Sequence, residues 1–167
     1  MMNTVERAKV FATAAHAAVG QTRKYTGEPY VVHPMEVASL VESVGGTEAM
    51  VAAALLHDVL EDTGVTVDVL EELFGSEVAD LVLWLTDVSK PDDGNRSTRK
   101  ALDRQHSAAA PAAAQTVKVA DLISNTRSIV AHDPGFAKVY LEEKRLLLDV
   151  LTRADPTLLT MAREQVG

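Results

Sequence analysis

Residues 52–63 read AAALLHDVLEDT, which places His57, Asp58, Glu61 and Asp62 within six positions after an apolar run. At roughly 100° per residue, a helix gathers those four side chains into one arc of roughly 140°. Leu55, Leu56, Val59 and Leu60 fill the complementary arc as a core-facing stripe. One imidazole and three carboxylates then share a face, and the negative end of a helix dipole adds to their mutual repulsion. A multivalent cation would offset that repulsion, so the chemistry in prospect is metal-assisted. The competing reading is an acidic, solvated helix end in which His57 is incidental.

A metal site needs ligands from more than one helix face. Among the other histidines, His16 lies mid-helix and reads as structural or exposed, while His106 and His132 sit near breaks and read as surface residues. His33 differs: Pro29 and Pro34 stiffen its surroundings, and Tyr30, Val31 and Val32 precede it. Taken alone, such a histidine is more often a satisfied core group than a ligand. Asp121 stands in TVKVADLISNTR, where Val117, Val119, Ala120 and Ile123 pack one side and Lys118, Asp121 and Asn125 share the other. A charged aspartate in so apolar a helix needs a partner. Lys118 is the ordinary partner and a metal is the chemical one. Two basic clusters, Arg23-Lys24 and Arg96, Arg99, Lys100 and Arg104, are either solvated helix faces or the grip for a phosphorylated small molecule.

Helices must position these residues, because almost every segment has helical period and alternating β-branched runs are nearly absent. A first helix is predicted over 3–19, followed by a loop over 20–30 marked by two glycines and Pro29. A second helix begins near Pro34 and ends at Gly45-Gly46. Thr47 caps a third that runs through to Asp62, with Gly64 just beyond. Thr66 caps a short helix closed by Gly75, and Ser76 starts another carrying Trp84. Residues 90–94 read as a mobile loop, 96–107 as a helix, 115–131 and 136–153 as two longer ones, and a short helix follows Asp155-Pro156. The expectation is an all-α, single-domain bundle of roughly eight or nine helices.

With 167 residues the chain is long enough for a substantial core. The absence of cysteine excludes disulfides, thiolate metal sites and thiol nucleophiles, and is compatible with a reducing cytoplasm. The longest apolar run, residues 50–56, is far too short to cross a bilayer, and the N-terminus reads as a helix rather than a signal peptide. A formal net charge of −8 argues against a general nucleic-acid binder.

The order His33, His57-Asp58, Asp121 resembles the ligand order of the HD-domain metal-dependent phosphohydrolases. Within that superfamily, RKYTGEPYVVHP (23–34), AALLHDVLEDT (53–63), Phe74-Gly75, Thr86-Asp87 and VKVADLISN (117–125) are similar to the hydrolase domain of RelA/SpoT-type enzymes. Those enzymes remove the 3′-pyrophosphate from guanosine tetra- and pentaphosphate. With no synthetase or regulatory domain following, the chain looks like a stand-alone small alarmone hydrolase: one HD-type domain over 1–167, with a motif core over 16–150. The resemblance implies His33, His57, Asp58 and Asp121 as metal ligands and Glu61-Asp62 as the pair that handles the water. It implies Arg23, Lys24, Arg96, Asn125 and Tyr140 as contacts to a polyphosphorylated nucleotide. The implied ion is Mn²⁺; two histidines and two aspartates also suit Fe²⁺ or Zn²⁺.

The chain departs from the family at Leu122, where a basic residue is common, and at Ser124, where histidine is common. Lys24 stands where arginine is frequent. These departures bear on which base and phosphate pattern the pocket accepts. The rival expectations are an HD phosphohydrolase acting on an adenine alarmone, NADPH or a nucleoside monophosphate, and a non-catalytic nucleotide sensor.

Overall fold

The computed structural model describes residues 1–167. Ten α-helical segments follow in order: α1 Thr4–Ala18, α2 Val32–Ser43, α3 Glu48–Leu56, α4 Val59–Asp62, α5 Val67–Phe74, α6 Ser76–Leu85, α7 Arg96–Ala109, α8 Ala112–His132, α9 Pro134–Val150 and α10 Pro156–Val166. Because α3 and α4 are two pieces of one interrupted element, the bundle has nine helices and no strand. A lone bridge between Thr22 and Pro29 pins the loop that joins α1 to α2.

The bundle is built around α3. Its sequence EAMVAAALL is apolar on every side, as a fully surrounded helix should be. Val51 through Leu56 are all buried, and α1, α2, α6 and α8 pack against it. Three consecutive alanines let those neighbours approach closely. Val37, Val41, Val82, Val117 and Ile123 join it in one core. That packing delivers the C-terminal end of α3 to the flanks of α2 and α8, which carry His33 and Asp121.

The helix ends follow local chemistry. Asn3 and Glu6 form a reciprocal capping box on α1. Thr47 accepts from the Met50 N–H, and Asp133 and Asp155 cap α9 and α10 ahead of their prolines. Gly45 closes α2 with φ +77°, and a β-carbon on Gly46 would collide with Val41.

The structure corrects the expected third helix. It does not run unbroken to Asp62 but stops at Leu56 and restarts at Val59. The His57 ring donates from Nδ1 to the Ala54 carbonyl at 2.6 Å, the acceptor that an unbroken helix would offer to the Asp58 N–H. Asp58 takes φ −97° and ψ −2°, the bridge region rather than the helical one. Smaller differences are that α8 and α9 start earlier than periodicity suggests, at Ala112 and Pro134, and that Thr66 makes no side-chain cap. Residues Pro91–Asp93 of the expected loop form a single 3₁₀ turn.

Candidate metal centre

The break at His57-Asp58 turns both side chains toward one point. His57 Nε2 lies 3.1 Å from Asp58 Oδ2 and 3.2 Å from Asp121 Oδ1. His33 Nε2 lies 2.9 Å from the same Asp121 oxygen and 3.7 Å from Asp58 Oδ2. One ligand atom each from His33, His57 and Asp58 fall within 4.8 Å of one another. The four residues that the resemblance assigned to a metal are thus gathered from α2, the α3–α4 break and α8.

Each of these groups is held from behind. His57 Nδ1 is committed to a carbonyl, which only accepts, so its Nε2 is the atom left for the centre. His33 Nδ1 meets Ser124 Oγ at 2.9 Å. The Tyr30 hydroxyl donates to Asp58 Oδ2 at 2.6 Å, and Asn125 donates to Asp121 Oδ1 at 3.0 Å. The Lys118 ammonium stands 3.8 Å from the other Asp121 oxygen. The ordinary partner foreseen for Asp121 is therefore present, but it occupies only one of the two oxygens.

The electrostatics show what the cluster demands. Burial works against the charge on His57, yet Asp58 and Asp121 outweigh it and hold the imidazole well above its usual pKa. Burial likewise works against Asp121, and His57 together with the bonds from both imidazoles holds it well below the usual carboxylate range. Positive charge among these atoms is thus strongly favoured, and in a metal-free protein a proton supplies it. Two buried imidazole nitrogens and two carboxylates with no thiolate are the donor set of a borderline divalent ion. The residues present fit such an ion.

Glu61 and Asp62 lie one turn past the break, on α4. Burial lifts the Glu61 carboxyl to about 7, helped by the charges of Asp87 and Asp58; the Asp87 N–H, 2.6 Å from its Oε1, and Lys118 pull the other way. Burial raises Asp62 as well, against the hydrogen bond it accepts from Gln21 Nε2 at 3.1 Å. Glu61 shares a cavity of about 340 Å³ with Asp58, Asp121, Asn125 and Tyr140. Lys100, Arg104, Lys118 and Lys144 also line it. Burial, with Lys118 and Lys100 nearby, lowers Lys144 to about 8. A second cavity brings Arg23 and Lys24 together with Tyr30, His33 and Asn125.

Other expected contacts are placed less directly. Arg96 forms a two-pronged pair with Glu143, both bonds at 2.9 Å, and stacks over Phe136. It lines an outer groove that meets the main cavity at Lys100 and Arg104. Tyr140 is buried, and its hydroxyl has no hydrogen-bond partner. His16 is buried and structural, bonded through Nδ1 to Gln21 Oε1 at 2.9 Å. His106 stacks on Trp84 and His132 on Tyr25, away from the centre. Sequence reasoning missed Ser124 as the neighbour of His33, Tyr30 as the donor to Asp58, and Lys144 altogether. The TGEPY segment already held Tyr30; nothing in the local pattern of α9 distinguished Lys144 from a solvated lysine.

Residues 8–143 match the HD-domain family model, and the chain belongs to that family. A probable guanosine-3′,5′-bis(diphosphate) 3′-pyrophosphohydrolase of Synechocystis is 40% identical over 131 residues, covering 77% of this chain and 17% of that protein. A protein of the same enzyme name from Aquifex aeolicus is 42% identical over 86 residues, 52% of this chain and 12% of its own. The chain therefore spans less than a fifth of the length of these curated relatives. Among solved structures, a metazoan ortholog of SpoT described as hydrolysing ppGpp superposes with a TM-score of 0.86 at 27% identity, covering 99% of this chain and 94% of that one.

Proposed function

We propose that the chain is a metal-dependent phosphohydrolase that removes the 3′-pyrophosphate from guanosine tetra- or pentaphosphate, releasing pyrophosphate and GDP or GTP. The observation that carries the reading is the meeting of His33 and His57 with Asp58 and Asp121, two aspartates that also line a cavity bearing four cationic side chains. The names of the similar proteins support this substrate, and the near-complete superposition on the ppGpp-hydrolysing structure supports a single domain over 1–167.

His33, His57, Asp58 and Asp121 would hold the ion, with Mn²⁺ the proposed occupant and Fe²⁺ or Zn²⁺ its rivals. When bound, such an ion supplies Lewis-acid polarisation of the phosphoryl group and acidifies water. Every other role falls to the chain's own groups. Glu61, with a carboxyl poised near neutrality, takes the proton of the attacking water. Asp62, held by Gln21, orients that water. Attack at phosphorus breaks the P–O bond to the 3′ oxygen, and that oxygen leaves carrying a proton returned from the pair. Lys100, Arg104, Lys118 and Lys144 hold phosphate charge in the main cavity. Arg23, Lys24 and Asn125 bound the neighbouring space, where the nucleoside is placed. Tyr140 lines the same main cavity, and Arg96 serves from the outer groove.

Incubating the Mn²⁺-loaded protein separately with ppGpp, ppApp and NADPH, and following the products by phosphorus NMR, tests the assignment. Pyrophosphate released from ppGpp is the expected result. Turnover of ppApp or NADPH alone would transfer the reading to that nucleotide. No turnover of any, with the ion bound, would favour a sensor.

A further inference from the structure

The two imidazoles at the centre are oriented by different means. His57 Nδ1 faces the Ala54 carbonyl, which can only accept, so backbone geometry alone fixes which nitrogen carries the proton. His33 Nδ1 faces the hydroxyl of Ser124, 2.9 Å away, and a hydroxyl can accept or donate. In the metal-free protein His33 Nε2 donates to Asp121 Oδ1 at 2.9 Å, and an ion takes the place of that proton. Were Ser124 to donate as well, Nδ1 would hold no proton and the neutral ring would have to keep its hydrogen on Nε2, in the metal's place. Ser124 Oγ instead donates to Glu36 Oε2 at 2.7 Å. A hydroxyl has one proton, so toward His33 it is left only its lone pairs. Arg23, its side chain 12% exposed, braces the Glu36 carboxylate at 3.4 Å.

We propose that Ser124 and Glu36 are positioning residues for His33: the carboxylate takes the hydroxyl's only proton, the hydroxyl accepts from His33 Nδ1–H, and the Nε2 lone pair is kept for the metal. This rests on the reading of His33 as a metal ligand. It also revises what the serine at 124 does in this chain. Ser124 is buried behind the histidine rather than facing the nucleotide, so its effect falls on ion affinity and not on the choice of base. Arg23, expected to touch the nucleotide, is the far end of the same chain of contacts.

Chelator competition with Mn²⁺ on the full chain tests this, comparing wild type with Ser124→Ala and Glu36→Ala. Outer-shell partners of metal-bound histidines are typically worth about ten- to a hundredfold in affinity. Ser124→Ala should lose about that much, Glu36→Ala less, and the double variant little more than Ser124→Ala because the two act in series. In the Zn²⁺-loaded wild type, the His33 Nδ1–H resonance should exchange slowly with solvent, and in Ser124→Ala it should exchange fast. Glu36 lies at the surface end, so its variant keeps the test open if Ser124→Ala unfolds. Wild-type affinity in the folded variants, with the Nδ1–H resonance unchanged, overturns the proposal while leaving the metal centre standing. A wild-type protein that takes up no divalent ion overturns the metal reading and this proposal with it.

Discussion

Glu61 is the group whose titration most sharply tests the electrostatics of the site. Burial is the chief reason its carboxyl rises to about 7, and the negative charges of Asp87 and Asp58 add to it. At pH 6 an acid titrating near 7 is about one-tenth ionised, whereas an ordinary glutamate is about 97% ionised. A general base in that position therefore costs about tenfold in rate at pH 6 that an unperturbed one would not. Asp87→Asn removes a charge while preserving the backbone N–H that bonds Glu61 Oε1 at 2.6 Å. In metal-free protein labelled at the glutamate carboxyl carbons, the Glu61 midpoint should lie near 7 and fall in Asp87→Asn. A bound cation pulls the same way, so the acidic limb of kcat/KM in the loaded enzyme should lie at or below about 7 and move lower again in the variant. The linkage has a definite sign. A carboxyl raised above its unfolded value of 4.5 contributes stability that is complete below pH 4.5 and lost as pH rises through about 7. Raising pH across that window should thus weaken the metal-free protein, and less so in Asp87→Asn. A Glu61 midpoint at the ordinary glutamate value, or one indifferent to Asp87→Asn, would refute the reasoning.

Further expectations follow from the same geometry. Lys144, lowered to about 8 by burial and by Lys118 and Lys100, loses its charge above that pH. KM for a polyphosphorylated substrate should therefore rise by up to about tenfold from pH 7 to 9 with kcat little changed. Lys144→Met should raise KM at pH 7 and flatten the profile, and a flat wild-type profile would remove Lys144 from phosphate binding. Tyr30→Phe deprives Asp58 of a 2.6 Å hydrogen bond and should weaken Mn²⁺ binding about tenfold; calorimetry showing no loss would contradict it. Leu56→Ala empties a fully buried position at the end of α3 and should cost about 2–5 kcal/mol in urea unfolding. A loss under about 1 kcal/mol would mean that α3 is not the rigid centre of the bundle.

The helical periods were legible because they are local, and the caps only in part. Thr47 caps as its place before an apolar stripe indicates, while Thr66, equally placed, makes no side-chain cap, and the all-α class follows from period alone. The four metal-site residues were legible through residue type joined to a family pattern, and the structure brings each histidine Nε2 within 3.7 Å of an oxygen of both aspartates. The interruption at His57-Asp58 was not legible. The chain there carries a faultless helical pattern, and the break depends on a side-chain bond from His57 to its own helix's carbonyl. Ser124 and Glu36 were invisible for another reason: they lie 88 positions apart and meet only because α2 packs on α8. Lys144 was hidden because a lysine's burial depends on which helix covers it, not on its neighbours in the chain.

The central claim is that side chains from α2, the α3–α4 break and α8 share one ion. Anomalous diffraction from crystals soaked in Mn²⁺ addresses it directly. A single strong peak is expected about 2 Å from His33 Nε2, His57 Nε2 and one oxygen each of Asp58 and Asp121. A peak that leaves out residue 33 or 121, or no peak at this place when the ion is in excess, would contradict it.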